Sequence, residues 1–372
     1  MAQSAIHQPL SPYRAGVTLD IRAHIPPPPF GSDYGNEDTI RRPVYGLSAD
    51  DDRLDFALSF PPLETAPPEP TKSHVLTILE KIDCRQERVG YYDGPHLVRC
   101  YLDSDESCHY VAKIYDGVNY PLSGPGPRGY DCMYRADQDY SREAAAYQNM
   151  PLNLQGSIVP RYFGSWTFFV ETGVRGLRRC VRMILLEHVD GECILDMVLR
   201  AKGVTQRDLP AELFDTLPID YGLLPPEQER LDILASVIEA EIMVFHAGIA
   251  LRDTVPRNVL ISRSMKRVIL TDFNRSRVYK CYEFGRRFLK SRPQNLPISP
   301  IQRYWESTWF TDDFRGWVPQ SWLTHEDRVL NWLCTRWGAS TKFAPLSKDF
   351  LSREGDHPLL QGLVKTRDNA TS

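Results

Sequence analysis

The chain has 372 residues, of which 42% are hydrophobic and 25% are charged, a composition typical of folded globular proteins. Its 44 Lys and Arg residues against 48 Asp and Glu give a formal net charge of −4, whereas general nucleic-acid and membrane-surface binders are usually basic. We therefore expect neither nucleic acid nor a membrane among its partners. No apolar run is long enough for a transmembrane helix. The first residues lack the continuous apolar segment of a secretory signal, so we expect none.

The cysteines indicate the compartment of the protein. There are eight, they are scattered along the chain, and no two of them form a CxxC pair. This spacing favours neither a zinc site nor a disulfide framework. A reducing compartment is the default for such a chain, so we expect an intracellular protein, either cytoplasmic or nuclear.

Both ends of the chain are predicted to be loosely structured. Twelve of the 29 prolines lie before residue 72. Because proline fixes φ and lacks an N–H donor, residues 1–72 are predicted to form a flexible, poorly packed arm. The proline-rich stretches 25–30 and 61–70 leave two functions open, a ligand for an SH3-like partner or a plain linker, and we favour the linker. At the other end, residues 346–372 are predicted to form a polar, frayed tail.

Residues 73–189 are predicted to form a compact first lobe of five strands and one helix. Five segments alternate or cluster β-branched and aromatic residues in the manner of strands. A stretch of strong helix formers at 141–150 follows the third segment, with Ser141 as a candidate cap. The predicted strands are 74–82, 95–102, 108–116, 161–171 and 178–189.

Residues 190–345 are predicted to form a mainly helical second lobe. Apolar residues recur every three or four positions through 226–249, which indicates a helix packed on a core. Two short apolar strands, Val259–Ile261 and Val268–Leu270, flank a turn of five residues and are predicted to form a hairpin. A second amphipathic helix is predicted at 325–338.

Two aspartates lie just outside these short strands, where a carboxylate faces solvent or a ligand and not the core. Asp253 precedes the first strand and Asp272 follows the second. If the strands pair, Asn258 at the base of the first strand comes near Asp272, and an amide oxygen and a carboxylate are ligands suited to Mg²⁺. Asp253 would then be placed to accept a proton from an attacking hydroxyl group.

These segments resemble the catalytic loop and the metal-binding motif of the protein-kinase-like fold. LRDTVPRN (251–258) is similar to the pattern H-R-D-x-x-x-x-N, and DFN (272–274) is similar to D-F-G. VAKIY (111–115) resembles the V-A-I-K strand, and REAAAY (142–147) resembles the helix that carries the lysine's glutamate partner. MILLEHVDGE (183–192) is similar to the last strand and hinge of that fold.

The resemblance covers residues 74–340, and within this range the sequence is most similar to fungal protein-kinase-like proteins. It implies a two-lobed α+β fold that binds ATP and Mg²⁺ between a five-stranded antiparallel lobe and a mainly helical lobe. It also implies a role for each matching residue. Lys113 would grip the α- and β-phosphates and Glu143 would hold Lys113; the backbone of Glu187 and Val189 would hold adenine; Asn258 and Asp272 would ligate Mg²⁺; and Asp253 would act as the base.

Several positions depart from the family pattern. Leu251 stands where the loop usually has His, Val255 where serine/threonine kinases have Lys, and Asn274 where the metal-binding motif has Gly. No GxGxxG motif lies before Lys113, and no A-P-E motif follows Asp272. Three functions stay open: a protein-kinase-like phosphotransferase that moves the γ-phosphate of ATP to a hydroxyl acceptor, which we favour; a small-molecule kinase; and a pseudokinase that acts as a nucleotide sensor or scaffold.

Basic residues surround the two aspartates. Arg257 lies where tyrosine kinases often have an arginine, and it would contact either a substrate phosphate or Asp253 alone. A basic stretch follows Asp272 at the position of an activation segment. It would attract an acidic or phosphorylated partner or form a solvated charged loop, and we favour the loop. Its members are Arg275, Arg277, Lys280, Arg286, Arg287, Lys290 and Arg292.

Overall fold

The computed structural model describes residues 12–31, 34, 53–65, 72–82, 94–120, 131–173, 176–204, 216–263, 267–291, 295–305 and 310–361. The chain forms two compact units. The first comprises Met1–Gln148 and Arg161–His188, and the second comprises Asn149–Pro160 and Val189–Ser372. Within the described ranges, the first unit contains a closed barrel and the second contains two small sheets.

The barrel of the first unit has six antiparallel strands. They are β1 (Thr18–Ala23), β2 (Ser73–Lys81), β3 (His96–Leu102), β4 (Tyr110–Tyr115), β5 (Tyr162–Glu171) and β6 (Arg178–Glu187). Their order around the barrel is β1-β2-β3-β4-β6-β5, and β5 pairs with β1 to close it. Because side chains alternate between the two faces of a strand, one set of apolar residues fills the interior, with Ile21, Leu76 and Val98 fully buried.

The six-stranded barrel corrects the expected five-stranded lobe. The five predicted strands are present, and the additional strand, β1, comes from residues 1–72, which were predicted to be a flexible arm. β1 pairs with β2 along Thr18–Arg22, so this part of the arm is packed. Its sequence, TLDIRA, contains no proline and alternates apolar with polar residues, so it can join a hydrogen-bonded ladder. The prolines of the segment flank β1, and the composition of the whole segment therefore concealed the strand.

Two helices are inserted between the barrel strands along the chain. Helix α1 (Arg53–Ser59) lies between β1 and β2, and helix α2 (Cys132–Asn149) lies between β4 and β5. α2 is longer than predicted. It begins after Asp131, whose Oδ1 accepts a hydrogen bond from the backbone N–H of Tyr134 at 2.7 Å and so caps the helix. Ser141, the predicted cap, is buried in mid-helix and donates to the carbonyl oxygen of Gln138. Most of the circumference of α2 is buried, which explains why its sequence shows no single apolar stripe.

The second unit is mainly helical within the described residues. Its helices are α3 (Ile194–Ala201), α4 (Glu227–His246), α5 (Glu283–Ser291), α6 (Pro300–Tyr304), α7 (Phe310–Asp313), α8 (Glu326–Trp337) and α9 (Lys348–Glu354). Its strands are β7 (Gly191–Cys193), β8 (Ile249–Ala250), β9 (Val259–Ser262), β10 (Val268–Leu270) and β11 (Arg277–Val278). β7, β9 and β10 form one antiparallel sheet, and β8 and β11 form another.

The predicted hairpin and the two predicted helices of the second unit are confirmed. β9 pairs with β10 so that Val259 lies opposite Leu270. α4 buries Leu234, Ile238 and Ile242 along one side, as the spacing of its apolar residues predicts. α8 corresponds to the amphipathic segment 325–338. Among the helices of the described ranges, none has both the length and the apolar character needed to cross a membrane.

Part of the predicted polar tail, residues 346–372, is folded. Ser347 caps α9, because its Oγ accepts a hydrogen bond from the backbone N–H of Phe350 at 3.2 Å. The ring of Phe350 is buried and meets Trp305 edge-on, with 5.8 Å between ring centroids. Leu360 is also buried. Isolated apolar residues in a polar stretch thus anchor this segment to the second unit, through contacts that local composition does not reveal.

Candidate active site

Lys113 and Glu143 form a buried ion pair in the first unit. Lys113 Nζ lies 2.5 Å from Glu143 Oε2, and the two side chains are 5% and 0% exposed. Lys113 lies in the middle of β4, between Leu97 on β3 and Ile184 on β6, whereas Glu143 lies in α2. Because both charges are removed from water, each depends on the other for compensation.

The alternation of side chains along β4 places Lys113 on the outer face of the strand, which points away from the barrel interior. Ala112 and Ile114 belong to the apolar core of the barrel, so Lys113 and Tyr115 lie on the other face of the strand. The Tyr115 hydroxyl donates a hydrogen bond to the same Oε2 atom of Glu143, at 2.7 Å. Tyr115 was not predicted as a site residue, although its position two residues after Lys113 on a predicted strand indicates that the two side chains share a face.

Asp253, Asn258 and Asp272 line one open cleft of the second unit. Asn258 ends a short 3-10 turn that leads into β9. The backbone N–H and the Oγ1 hydroxyl of Thr271 both donate to the carbonyl oxygen of Asn258, at 2.9 and 3.1 Å. The structure therefore brings Asn258 and Asp272 together at the same end of the β9–β10 hairpin.

The Asn258 side chain is held through its amide nitrogen. Nδ2 donates to the backbone carbonyl oxygen of Asp253 at 2.8 Å and lies 3.3 Å from Asp253 Oδ2. Asn258 is buried, so this arrangement fixes one orientation of the amide group. Because the nitrogen is turned toward Asp253, Oδ1 is the amide atom that remains suited to ligating a cation.

Two arginines lie against the Asp253 carboxylate. Arg257 Nη2 donates to Oδ1 at 2.9 Å and to Oδ2 at 2.8 Å, and Arg275 Nε lies 4.0 Å from Oδ2. Of the two contacts that the sequence allowed for Arg257, the structure shows the one with Asp253. A second acidic group, Asp313 at the end of α7, was missed. Burial and the negative charge of Asp253 raise the pKa of Asp313, whereas Arg257 opposes that rise.

Asp272 adopts a left-handed backbone conformation, with a φ of 65°. Aspartate tolerates this region better than most residues, but the conformation still costs energy and persists only where the surroundings impose it. The next residue, Phe273, is fully buried and anchors the segment. Among the described non-glycine residues the other positive φ angles occur at Asp103 and Ser104, so Asn274 meets no such strain at the position where the family has glycine.

Glu187 and Val189, which the resemblance assigns to adenine, lie at the end of β6 and just beyond it. Glu187 belongs to the first unit and Val189 to the second. The backbone N–H of Glu187 donates to the Arg161 carbonyl oxygen at 2.8 Å, and Glu187 Oε2 accepts from the Arg161 N–H at 3.0 Å. The N–H of Glu187 is therefore used within the first unit. The loop before Lys113 that contains Gly90 lies outside the described residues.

Arg275 lies in a turn, but the basic stretch from Arg277 to Lys290 forms mostly regular elements, which corrects the favoured expectation of a solvated loop. Arg277 begins β11, and its guanidinium carbon lies 5.4 Å from the centre of the Tyr282 ring. Arg287 pairs with Glu283 one helical turn earlier on α5. Arg292 lies outside the described residues. The stretch folds because apolar and aromatic residues are interleaved with its charges, so one side packs while the cations face solvent.

The donor atoms at Asn258 and Asp272 fit a hard cation. One carboxylate and one amide oxygen are the ligand types that Mg²⁺ prefers, and the ion takes its other ligands from phosphate and water. Within the described ranges, no group of three or more His, Cys, Asp or Glu residues is arranged to hold a metal by itself. The described cysteines are free thiols. A Mg²⁺ ion here would accordingly need a phosphate-bearing ligand to complete its shell.

The chain was compared with known proteins. No family model matches it, and no curated protein matches it. Among solved structures, the kinase PK-1 of the Cydia pomonella granulovirus matches with 16% sequence identity and a TM-score of 0.31, over 55% of this chain and 52% of that chain. The chain thus spans about half the length of the solved kinase.

Proposed function

We propose that the protein is a phosphotransferase that uses ATP and Mg²⁺ and moves the γ-phosphate to a hydroxyl acceptor. The observation that carries the proposal is the buried Lys113–Glu143 ion pair. A buried pair gains little stability over two apolar side chains of similar size, because the desolvation of both charges offsets their attraction. Its presence in the middle of a strand is better explained by a need for a fixed cation.

In the first unit, Lys113 would bind phosphate oxygens of the nucleotide. An ammonium group has three N–H donors, so it can contact a phosphate while it stays paired with Glu143. Glu143 and Tyr115 would keep the ammonium group in one position, which lowers the entropy lost when the phosphate binds.

In the second unit, Asp272 and Asn258 would hold Mg²⁺, which when bound neutralises charge on the phosphates. Asp253 would accept the proton of the acceptor hydroxyl group. The acceptor oxygen then forms a bond to the γ-phosphorus, the bond between that phosphorus and the bridging oxygen of ADP breaks, and ADP leaves with the electron pair. Arg257 would hold the Asp253 carboxylate in position for this transfer.

A second function, a nucleotide sensor without transfer, is favoured by one observation. Arg257 already donates to both oxygens of Asp253, the group that must accept the proton, and so competes with the acceptor hydroxyl for them. If this contact persists when an acceptor is present, nucleotide would bind and no phosphate would be transferred. The choice between a protein acceptor and a small molecule depends on the assay below.

The test is a γ-phosphate transfer assay on a peptide library and a panel of metabolites, run on the parent protein and on Asp253→Asn. We expect turnover in the parent and a loss of about 10²- to 10⁴-fold in the variant, as for removal of a general base. Asp312→Asn is the matched control, because Asp312 is 70% exposed and pairs with Arg315.

The result is read together with a thermal-shift titration of ATP in the presence of Mg²⁺. Binding without turnover for every acceptor tried would support the sensor and contradict the enzyme. Absence of both binding and turnover would contradict both functions.

A further inference from the structure

Helix α2 is held from outside by parts of the N-terminal region. We call residues 24–31, 34 and 63–64 the N-terminal clamp. They belong to the region predicted to be a flexible arm, and none of them is part of the barrel strands. Their contacts with α2 fall on residues 134–142, immediately before Glu143.

The first contact of the N-terminal clamp is with Arg142, the residue before Glu143. Its Nε donates to the carbonyl oxygen of Phe30 at 2.9 Å, and its guanidinium carbon lies 5.6 Å from the centre of the Tyr34 ring. Gly31 has a φ of 109°, and a Cβ atom at this position would meet the ends of the Gln138 and Arg142 side chains. A side chain at residue 31 would therefore have to displace the ends of the Arg142 and Gln138 side chains, and the positive φ angle itself favours glycine.

The second contact leads through aromatic side chains to the Glu143 carboxylate. His24 Nδ1 lies 2.7 Å from the Tyr140 hydroxyl oxygen. The ring centroid of Tyr140 lies 5.5 Å from that of Tyr115, and the Tyr115 hydroxyl donates to Glu143 Oε2. A continuous series of contacts thus joins the clamp to Glu143 Oε2, the oxygen that accepts a hydrogen bond from Lys113.

The third contact anchors the clamp to the barrel. The backbone N–H of Leu63 donates to Asp137 Oδ2 on α2 at 3.0 Å. The adjacent Glu64 pairs at 2.5 Å with Arg182, whose side chain is buried on β6. Glu64 Oε2 also lies 3.5 Å from His24 Nε2, which connects the two parts of the clamp. The clamp is therefore fixed at one side to the barrel and at the other side to α2.

The two partners of the ion pair are positioned in different ways. Lys113 is fixed by the pairing of β4 on both sides, whereas the position of Glu143 depends on where α2 lies. We propose that the N-terminal clamp, acting through Tyr140 and Arg142 as positioning residues, fixes the position of α2 so that Glu143 can form its ion pair with Lys113. The consequence for nucleotide affinity rests on the proposed function of this pair, but the positioning itself can be measured without a nucleotide.

The test uses the full-length protein with Tyr140→Phe, Arg142→Ala and Arg142→Lys. Tyr13→Phe is the matched control. Like Tyr140→Phe, it removes one buried tyrosine hydroxyl, but the Tyr13 hydroxyl donates to Asp116 at 2.6 Å and not to the clamp. The first measurement is the rate at which an amine-reactive reagent labels Lys113, quantified by mass spectrometry. We expect Tyr140→Phe and Arg142→Ala to raise this rate by about threefold to tenfold, the equivalent of one hydrogen bond. Arg142→Lys should restore part of the protection, and Tyr13→Phe should leave the rate unchanged.

The second measurement is the affinity for ATP with Mg²⁺. Tyr140→Phe and Arg142→Ala should weaken it by about threefold to tenfold, and Arg142→Ala should add no effect in a Glu143→Gln background. Equal changes in Tyr13→Phe and in the clamp variants would overturn the proposal, because they would indicate general loosening. If the parent binds no nucleotide while the labelling rates follow the expected order, the proposed function is wrong and the positioning by the clamp is supported.

Discussion

Arg257 holds Asp253 through a single nitrogen atom, Nη2, which donates to both carboxylate oxygens at 2.9 and 2.8 Å. The two residues are four positions apart, and their side chains are 36% and 11% exposed. This pair is the contact by which the cleft of the second unit fixes the orientation of its candidate base, and it is also the contact that an acceptor hydroxyl must share.

We expect Arg257→Ala to change turnover more than stability. A partly exposed ion pair contributes about 1 kcal/mol or less to the free energy of unfolding. Loss of the fixed carboxylate orientation should lower kcat by about tenfold, since small displacements of a reacting group are costly. Urea unfolding and the phosphate-transfer assay measure the two effects. Higher turnover in Arg257→Ala would mean that the arginine blocks the base, which would favour the sensor.

Lys113→Met should destabilise the first unit by about 3 kcal/mol, because it leaves the buried carboxylate of Glu143 without its cation. The double variant Lys113→Met/Glu143→Leu should recover most of this loss, since it removes both charges. Denaturant melts of the two variants test the expectation. Lys342→Met is the control, because Lys342 forms a half-exposed pair with Glu239 and its loss should cost about 1 kcal/mol or less. A double variant no more stable than Lys113→Met would contradict this account.

Variants of Asp272 distinguish the effect of its backbone conformation on stability from the effect of its carboxylate on Mg²⁺ binding. Because its φ is 65°, Asp272→Ala should be less stable than Asp272→Gly by about 1 kcal/mol. Both variants, and Asp272→Asn, should lose the Mg²⁺-dependent part of the thermal shift that ATP produces. Ser104 has the same φ, so Ser104→Ala and Ser104→Gly should differ in stability and keep the Mg²⁺ dependence. Full Mg²⁺ dependence in Asp272→Asn would remove this residue from the metal site.

Stability should fall when the pH is lowered from about 6.5 to about 4, because of His24. Burial lowers the pKa of His24 to about 4, the positive charge of Arg182 adds to this effect, and Glu64 opposes it. Between the two pKa values the unfolded chain binds a proton that the folded chain excludes, so protonation favours unfolding by at most about 3 kcal/mol. The measurement is the free energy of unfolding in urea at several pH values, for the parent and for His24→Gln. Identical pH slopes for the two proteins would exclude His24 as the cause.

Much of the fold follows from the pattern of residues along the chain. The hairpin of β9 and β10 and the helices α4 and α8 are present where the sequence predicts them, because each carries its own apolar periodicity. The strands β2 to β6 follow from the same kind of signal. The contact of Lys113 with Glu143 was expected from the family resemblance, although their roles in catalysis stay predictions.

The sequence by itself determined which segments form strands and helices with a regular apolar pattern, and which polar residues are candidates for chemistry. Only the tertiary structure decided that β1 closes the barrel, that the N-terminal clamp holds α2, and that Tyr115 shares an oxygen with Lys113. These features depend on contacts between residues far apart in the chain. Burial of a proline-rich or highly polar segment is imposed by the surface that it meets, and that surface is absent from the local sequence.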